Sequence, residues 1–169
     1  MIKVYDNIFK NVYCSYAWDF VKDSYYKLGW EDDNIFEHRV YSCLHSHYSK
    51  DDQDKLGILE RLNESEVGSL IKGKNIIKMV ANLSVPGQTH FGHVHYDNSV
   101  CLYYPALEWR REWGGETMFY TSDNLELERS IEYKPNRLVY FTGEHPHSVR
   151  PATYHAPFYR FTVSMLFDS

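Results

Sequence analysis

The pattern of apolar and polar positions divides the chain into two parts. Between about Val12 and Leu28, Ala17, Phe20, Val21, Tyr25 and Leu28 recur at helical spacing, and Gly29 follows as a stop signal. This pattern predicts a helix. A second helical pattern runs from about Asp51 to Ile71, with Leu56, Leu59, Leu62, Val67 and Leu70 on one side; Gly57 and Gly68 count against it. From about residue 75 the pattern changes to short strands: Asn75–Val85, Val94–Tyr104, Gly115–Thr121, Arg129–Tyr133, Arg137–Phe141, Ser148–Pro151 and Tyr159–Phe167. Turn residues punctuate them, among them Pro86-Gly87, Gly114-Gly115 and Pro135-Asn136. Many short strands at this spacing predict a sandwich or barrel, a jelly roll being one solution, with the helices on one outer face. The class is therefore mostly β (α+β). No repeat, low-complexity tract or Pro/Gly-rich linker interrupts the 169 residues, so one domain is expected. In it, residues 1–74 form a helical support region and residues 75–169 a jelly-roll core.

Composition narrows the function classes. Apolar residues make up 43% and charged residues 24%, which excludes a disordered, collagen-like or coiled-coil chain. Aromatics reach 17%, with 15 Tyr, which leans towards β-structure. The formal net charge of -5 argues against a nucleic-acid or membrane-surface binder. No stretch approaches the ~20 apolar residues of a membrane helix, and no signal-peptide pattern opens the chain. Cys14, Cys43 and Cys101 are odd in number, widely spaced and form no CxxC pair. That argues against a disulfide framework or thiolate zinc site and for a reducing, cytoplasmic setting. Oligomeric state leaves no mark in the sequence.

The nine histidines are unevenly placed. His90, His93, His95 and Asp97 lie within eight residues, and His145 and His147 follow an apolar strand. In an extended segment His93, His95 and Asp97 would share a face, and His95 with Asp97 could grip one ion. A third ligand must then come from elsewhere. Two histidines and a carboxylate form the facial triad of non-haem iron(II) oxygenases, with positions left open for co-substrate and dioxygen. The bland alternative is a set of solvated loop histidines. His93-Val-His95-Tyr-Asp97 also covers most of the H-x-H-x-D-H signature of zinc hydrolases of the metallo-β-lactamase type, but Asn98 stands where that signature needs histidine. A cupin-like metal-binding module without turnover is a further alternative.

Downstream motifs add weight. After Asp97 come the apolar run Ser99–Tyr104, then Trp113-Gly-Gly-Glu-Thr117, Asn136-Arg-Leu-Val-Tyr-Phe141, His147-Ser-Val149 and Arg160-Phe-Thr162. In this order the series resembles the iron(II)- and 2-oxoglutarate-dependent dioxygenases, particularly the prolyl 4-hydroxylase-like branch, over about residues 75 to 167. The resemblance implies a double-stranded β-helix, a distorted jelly roll with helices supporting its larger sheet. It implies iron(II) on His95, Asp97 and His147, the last two 50 residues apart. His145 is the rival of His147, and His93 is assigned a supporting or solvent role. It implies 2-oxoglutarate held by Arg160, with Thr162 assisting and Tyr104, or Tyr103 if the register slips, bonding the same carboxylate. Arg150 competes for the clamp but follows His147 too closely.

The implied reaction hydroxylates a substrate C–H bond while 2-oxoglutarate and dioxygen become succinate and carbon dioxide. Peptidyl proline is the leading substrate, with a free amino acid or other small molecule as alternative, and ascorbate is an optional reductant. His38, His45 and His47 fall in a stretch read as irregular and as candidate lid. His90 and His155 read as loop residues. Trp109 and Trp113 read as packing.

Overall fold

A computed structural model describes residues 1–31, 39–87, 92–123, 126–157 and 159–169. In chain order the elements are β1 (Ile2–Asp6), α1 (Asn11–Lys22), β2 (Lys27–Glu31), β3 (Arg39–His47), α2 (Lys50–Leu56), α3 (Ile58–Asn63), α4 (Gly68–Ile71), β4 (Ile76–Ser84), β5 (Ser99–Tyr104), β6 (Thr117–Tyr120), β7 (Leu127–Ile131), β8 (Arg137–Thr142), β9 (His147–Val149) and β10 (Arg160–Phe167). All sheet pairings are antiparallel. A seven-stranded sheet runs β1-β8-β5-β10-β4-β3-β2, and a three-stranded sheet runs β7-β6-β9. Among the described residues no helix is long and apolar enough to cross a membrane.

Strand alternation sorts the apolar residues into two cores. Met79, Ala81 and Leu83 of β4, with Phe161, Val163, Met165 and Phe167 of β10, face the helices and pack with Tyr13, Ala17, Val21, Leu56, Ile58 and Leu62. The opposite face of the large sheet gives Val100, Leu102, Tyr104, Val139 and Phe141, which pack between the sheets with Phe119, Ile131 and Tyr133. The expected two-layered mostly β architecture is therefore present, with the helices on one outer face. The middle strands read as near-continuous apolar runs because both of their faces are buried.

The first 74 residues are less helical than their pattern suggests. The first helix ends at Lys22 with Asp23 as its cap, five residues before Leu28. The Tyr26 hydroxyl donates to the carbonyl of Val21, and the chain then enters β2, where Leu28 pairs with Leu44 and is 71% exposed. Its helical spacing was coincidental. The pattern from Asp51 to Ile71 divides into α2, α3 and α4. Gly57, at φ 63, ends α2 in the left-handed conformation, and a capping box of Ser49 and Asp52 opens it. The predicted strand Val94–Tyr104 begins only at Ser99, because residues 96 and 97 form a turn. His45 and His47 lie in β3 rather than an irregular stretch. His38 and His90 lie outside the described residues, as do the side-chain surroundings of Cys43.

Strands β1, β2 and β3 join the large sheet at both of its edges, so the support region is also part of the framework. Asp6 of β1 faces Arg137 of β8. The guanidinium donates Nε to Oδ1 at 2.5 Å and Nη2 to Oδ2 at 2.9 Å, while Nη1 donates to the Glu132 carbonyl. These hydrogen bonds hold the Asp6 carboxyl below its ordinary range. A carboxyl with a lowered folded pKa stabilises above its unfolded pKa, about 3.9, and the contribution is lost as pH falls through the folded value. Asp6→Asn should therefore lower stability at pH 7 by roughly 1–2 kcal/mol, less than the 3–5 of a fully buried pair because half of the carboxylate is exposed. The difference should shrink when melting is followed from pH 7 to pH 3. Parallel curves across that range would show that the pair contributes nothing through its charge.

Candidate metal and carboxylate site

His147 opens β9 and pairs with Phe119 of β6. On its other side it forms an isolated antiparallel bridge with His93, each backbone N–H donating to the other's carbonyl at 3.0 Å. Residues paired in this way project to the same side. The ring centroids of His93 and His147 are 4.4 Å apart. His95 lies two residues further on the same side, 4.9 Å from His93 and 5.1 Å from His147. One ligand atom from each of the three lies within 4.8 Å of the others.

Gly143 fixes His95. The His95 N–H donates to the Gly143 carbonyl at 2.8 Å, and a Cβ at residue 143 would lie 2.1 Å from the His95 carbonyl oxygen. It would also lie 2.9 Å from the Asn98 carbonyl oxygen, and because both carbonyls are backbone they cannot swing away as a side chain would. Gly143→Ala should displace the His95 segment, lower stability by roughly 1–3 kcal/mol and weaken divalent-metal binding together. Calorimetry with and without metal checks this. A destabilised variant with unaltered metal affinity would show that Gly143 does not position the cluster.

The electrostatics favour neutral rings. Burial, aided by His93 and Lys78, holds the His95 pKa down to about 3. Burial does the same to His147, well below its ordinary value, with His93 and His95 adding to it. His147 is 6% exposed, and the Phe119 and Phe141 rings lie against it at 5.8 and 4.7 Å. Its Nδ1 lies 3.0 Å from the carbonyl of His145. A carbonyl only accepts, so Nδ1 carries the proton and Nε2 keeps the lone pair. His145 thus contributes its backbone, and the sequence alternative between the two histidines favours His147.

Asp97 is not in this group. After His95 the chain turns: the Asn98 N–H donates to the His95 carbonyl at 3.1 Å, and Asp97 takes φ 59 and is exposed. The shared face expected for residues 93, 95 and 97 required extended backbone, which stops at residue 95.

The second part of the site surrounds Arg160, at the start of β10 and only 1% exposed. Its Nε donates to the Gly115 carbonyl at 2.7 Å and its Nη2 to the Thr117 hydroxyl at 3.2 Å. The rings of Tyr104 and Tyr133, stacked 4.5 Å apart, lie 5.5 and 5.1 Å from the guanidinium carbon. The Tyr104 and Thr117 hydroxyls are 2.6 Å apart. Burial raises the Tyr104 pKa, which keeps its hydroxyl a neutral donor. Gly115, at φ 85, lets the chain pass close to the arginine stem: a Cβ there would lie 3.2 Å from Arg160 Cδ.

Tyr103 packs in the helix-side core, so Tyr104 is the tyrosine that lies beside Arg160. Thr162 is buried two residues along the same strand face as Arg160, but the hydroxyl that meets the guanidinium is that of Thr117. Arg150 is exposed and pairs with Glu116 at 3.4 Å. Trp109 donates its indole N–H to the Gly114 carbonyl and packs on Tyr133, and Trp113 is buried, as expected of packing residues. His155 is exposed.

His93, Thr117, Tyr133 and Gly143 were missed as site residues. The signals were present in the bridge-forming spacing of His93 and the threonine that ends Trp113–Thr117. Together, three convergent imidazoles and a buried guanidinium flanked by hydroxyls suit a divalent cation and a carboxylate.

The family model of the 2OG-Fe(II) oxygenase superfamily matches residues 79–168. A sequence search of curated proteins finds no match. Among solved structures, the chain is similar to a prolyl hydroxylase from Trichoplax adhaerens in complex with a peptide fragment of the hypoxia inducible factor oxygen degradation domain. The TM-score is 0.75 at 17% identity, covering 99% of this chain and 83% of that one. It is similar to a Pseudomonas putida prolyl-4-hydroxylase at TM-score 0.70 and 16% identity, covering 99% and 91%. It is also similar to HygX from Streptomyces hygroscopicus with nickel and 2-oxoglutarate bound, at TM-score 0.70 and 8% identity, covering 99% and 82%. At these identities the likeness is one of fold.

Proposed function

We propose, from the premise that the chain belongs to the 2OG-Fe(II) oxygenase superfamily, that it hydroxylates a prolyl residue of a peptide. The observation that supports this most is the burial of His147, one corner of the histidine cluster, and of Arg160 against one inter-sheet core. Phe119 and Phe141 of that core touch His147, and Tyr104 and Tyr133 flank Arg160.

The residues fit both groups the family uses. Neutral imidazoles suit iron(II), and His95 and His147 belong both to the sequence motif and to the spatial cluster. The planar Arg160 guanidinium, oriented by Gly115 and Thr117, matches the two oxygens of a carboxylate, and the far carboxylate of 2-oxoglutarate would fit it. When bound, iron, 2-oxoglutarate and dioxygen would supply the oxidising chemistry that converts C–H to C–OH, one oxygen atom going to the substrate and the other to succinate, with release of carbon dioxide. The protein's own work is positional. Hydrogen bonding to the His145 carbonyl holds the His147 ring with Nε2 available. Arg160 would fork the carboxylate, with the Thr117 and Tyr104 hydroxyls beside it. Phe119 and Phe141 keep water from one side of the metal donors.

The peptide substrate is supported by likeness to solved prolyl hydroxylases, one of them holding a peptide. The buried Arg160, set beside Gly115 and Thr117, argues against the zinc-hydrolase and cupin-like alternatives, because neither has a use for a carboxylate clamp; three imidazoles alone would suit zinc as well. A cytoplasmic site is supported by the buried free thiols of Cys14 and Cys101.

The test is anaerobic titration of the metal-free protein with iron(II), then 2-oxoglutarate, reading the visible charge-transfer band of the chelate. Succinate release is then followed over proline-containing peptides, with and without ascorbate. A saturable band and a peptide product heavier by one oxygen are expected. Metal binding without a band would sink the cofactor reading. Oxidation confined to free small molecules would sink the peptide reading.

A further inference from the structure

Resting on that reading, we infer that the third iron donor is His93 and not Asp97, so that the ion sits on three imidazoles with no protein carboxylate. The backbone determines this choice. The His93–His147 bridge aims both rings to one side, with reciprocal hydrogen bonds of 3.0 Å. His95 follows on the same side. The chain then reverses, and the reversal is tied at three points. His95 N–H donates to the Gly143 carbonyl at 2.8 Å, Asn98 N–H to the His95 carbonyl at 3.1 Å, and Gly143 N–H to the Asn98 carbonyl at 2.7 Å. Asp97 stands at the outside of this turn in a left-handed conformation, exposed. Bringing its carboxylate inward would require breaking the turn that positions His95.

The substitution changes the charge of the centre. Two histidines and a carboxylate leave a divalent ion with one uncompensated positive charge; three imidazoles leave two. Lys78 adds positive potential near His95. An uncompensated double charge is expensive beside the buried His147 and the half-buried His93 and His95, and the anionic co-substrate becomes its main counter-charge. Iron(II) and 2-oxoglutarate should therefore bind with strong mutual enhancement. By linkage, each should tighten the other by the same factor.

The experiment measures iron(II) affinity anaerobically by calorimetry, with and without 2-oxoglutarate, in the full chain and in single variants. Circular dichroism and melting confirm that each variant is folded. In the unaltered chain, 2-oxoglutarate should tighten iron binding by about tenfold or more. His93→Ala should weaken iron binding by more than about 100-fold, beyond the loss that removal of an outer partner produces. Asp97→Ala should change it by less than about threefold, as an exposed residue outside the cluster should. His93→Asp should restore binding and reduce the enhancement by 2-oxoglutarate. Copper(II) substitution adds a spectroscopic readout: three equatorial nitrogens in the unaltered chain and in Asp97→Ala, two in His93→Asp.

Loss of iron in Asp97→Ala with retention in His93→Ala overturns the inference while leaving the enzyme reading intact. Retention of iron in His95→Ala and His147→Ala as well would instead overturn the reading of the site itself.

Discussion

Arg160→Ala should raise the 2-oxoglutarate concentration needed for half-saturation by roughly 100-fold, while iron(II) binding measured without 2-oxoglutarate stays close to that of the unaltered chain. The figure comes from two charge-assisted hydrogen bonds at about 1.5 kcal/mol each, or about 3 kcal/mol together. The guanidinium is held ready: Gly115 and Thr117 fix its orientation, and the stacked tyrosines flank it. Little side-chain freedom would be lost on binding, so most of the hydrogen-bond energy should show as affinity. Arg160→Lys keeps the charge but not the fork, and should fall between the two. Because the side chain fills a buried space, Arg160→Ala should also melt at a lower temperature; the lysine variant separates that effect from loss of the clamp. The readout is the charge-transfer band titrated with 2-oxoglutarate. Unchanged half-saturation in a folded Arg160→Ala would remove this arginine from the co-substrate site.

His147→Ala should abolish saturable iron(II) binding and reduce succinate production by more than about 100-fold, since loss of an outer partner of a metal ligand already produces 10- to 100-fold. The ring has the lowest exposure of the three and is fixed through Nδ1 by the His145 carbonyl. Its neighbours, Phe119 and Phe141, have no polar group that could replace the lost nitrogen. His145→Ala is the matched control. It keeps the carbonyl and removes a ring outside the cluster, so iron affinity should change little. Iron binding that survives His147→Ala but not His145→Ala would reverse the assignment of the two histidines.

How much of this was legible in the sequence differs from residue to residue. Arg160 stood out because a cation in an apolar strand needs a reason, and the strand formed where alternation placed it. Tyr104 could not be separated from Tyr103 without register, and the two proved to face different cores. His95 and His147 were legible from the motif series. Asp97 illustrates the limit of period-two reasoning: its side was inferred from extended backbone, and two residues of turn move it outwards. The spacing of His93 put it on the face of His95, but its pairing with His147, some fifty residues away in sequence, was not legible. The same reason hid β1 and β3, which pair with the distant β8 and β4; β2 pairs with the nearby β3 but lay under the helical spacing that ran through Leu28.

The pairing of β1 with β8 has a consequence for how the protein is made. The strand at residues 2–6 closes against residues 137–141, so the two ends of a very long loop must meet before the edge of the large sheet is complete. Closing such loops is entropically slow, and contacts of large sequence separation lower folding rates. Gly143, which ties the His95 turn, lies just beyond that late-paired strand. On the ribosome, then, the histidine cluster cannot assemble until Gly143 and His147 have emerged, and the nascent chain should acquire its capacity to hold metal only after β9 is out.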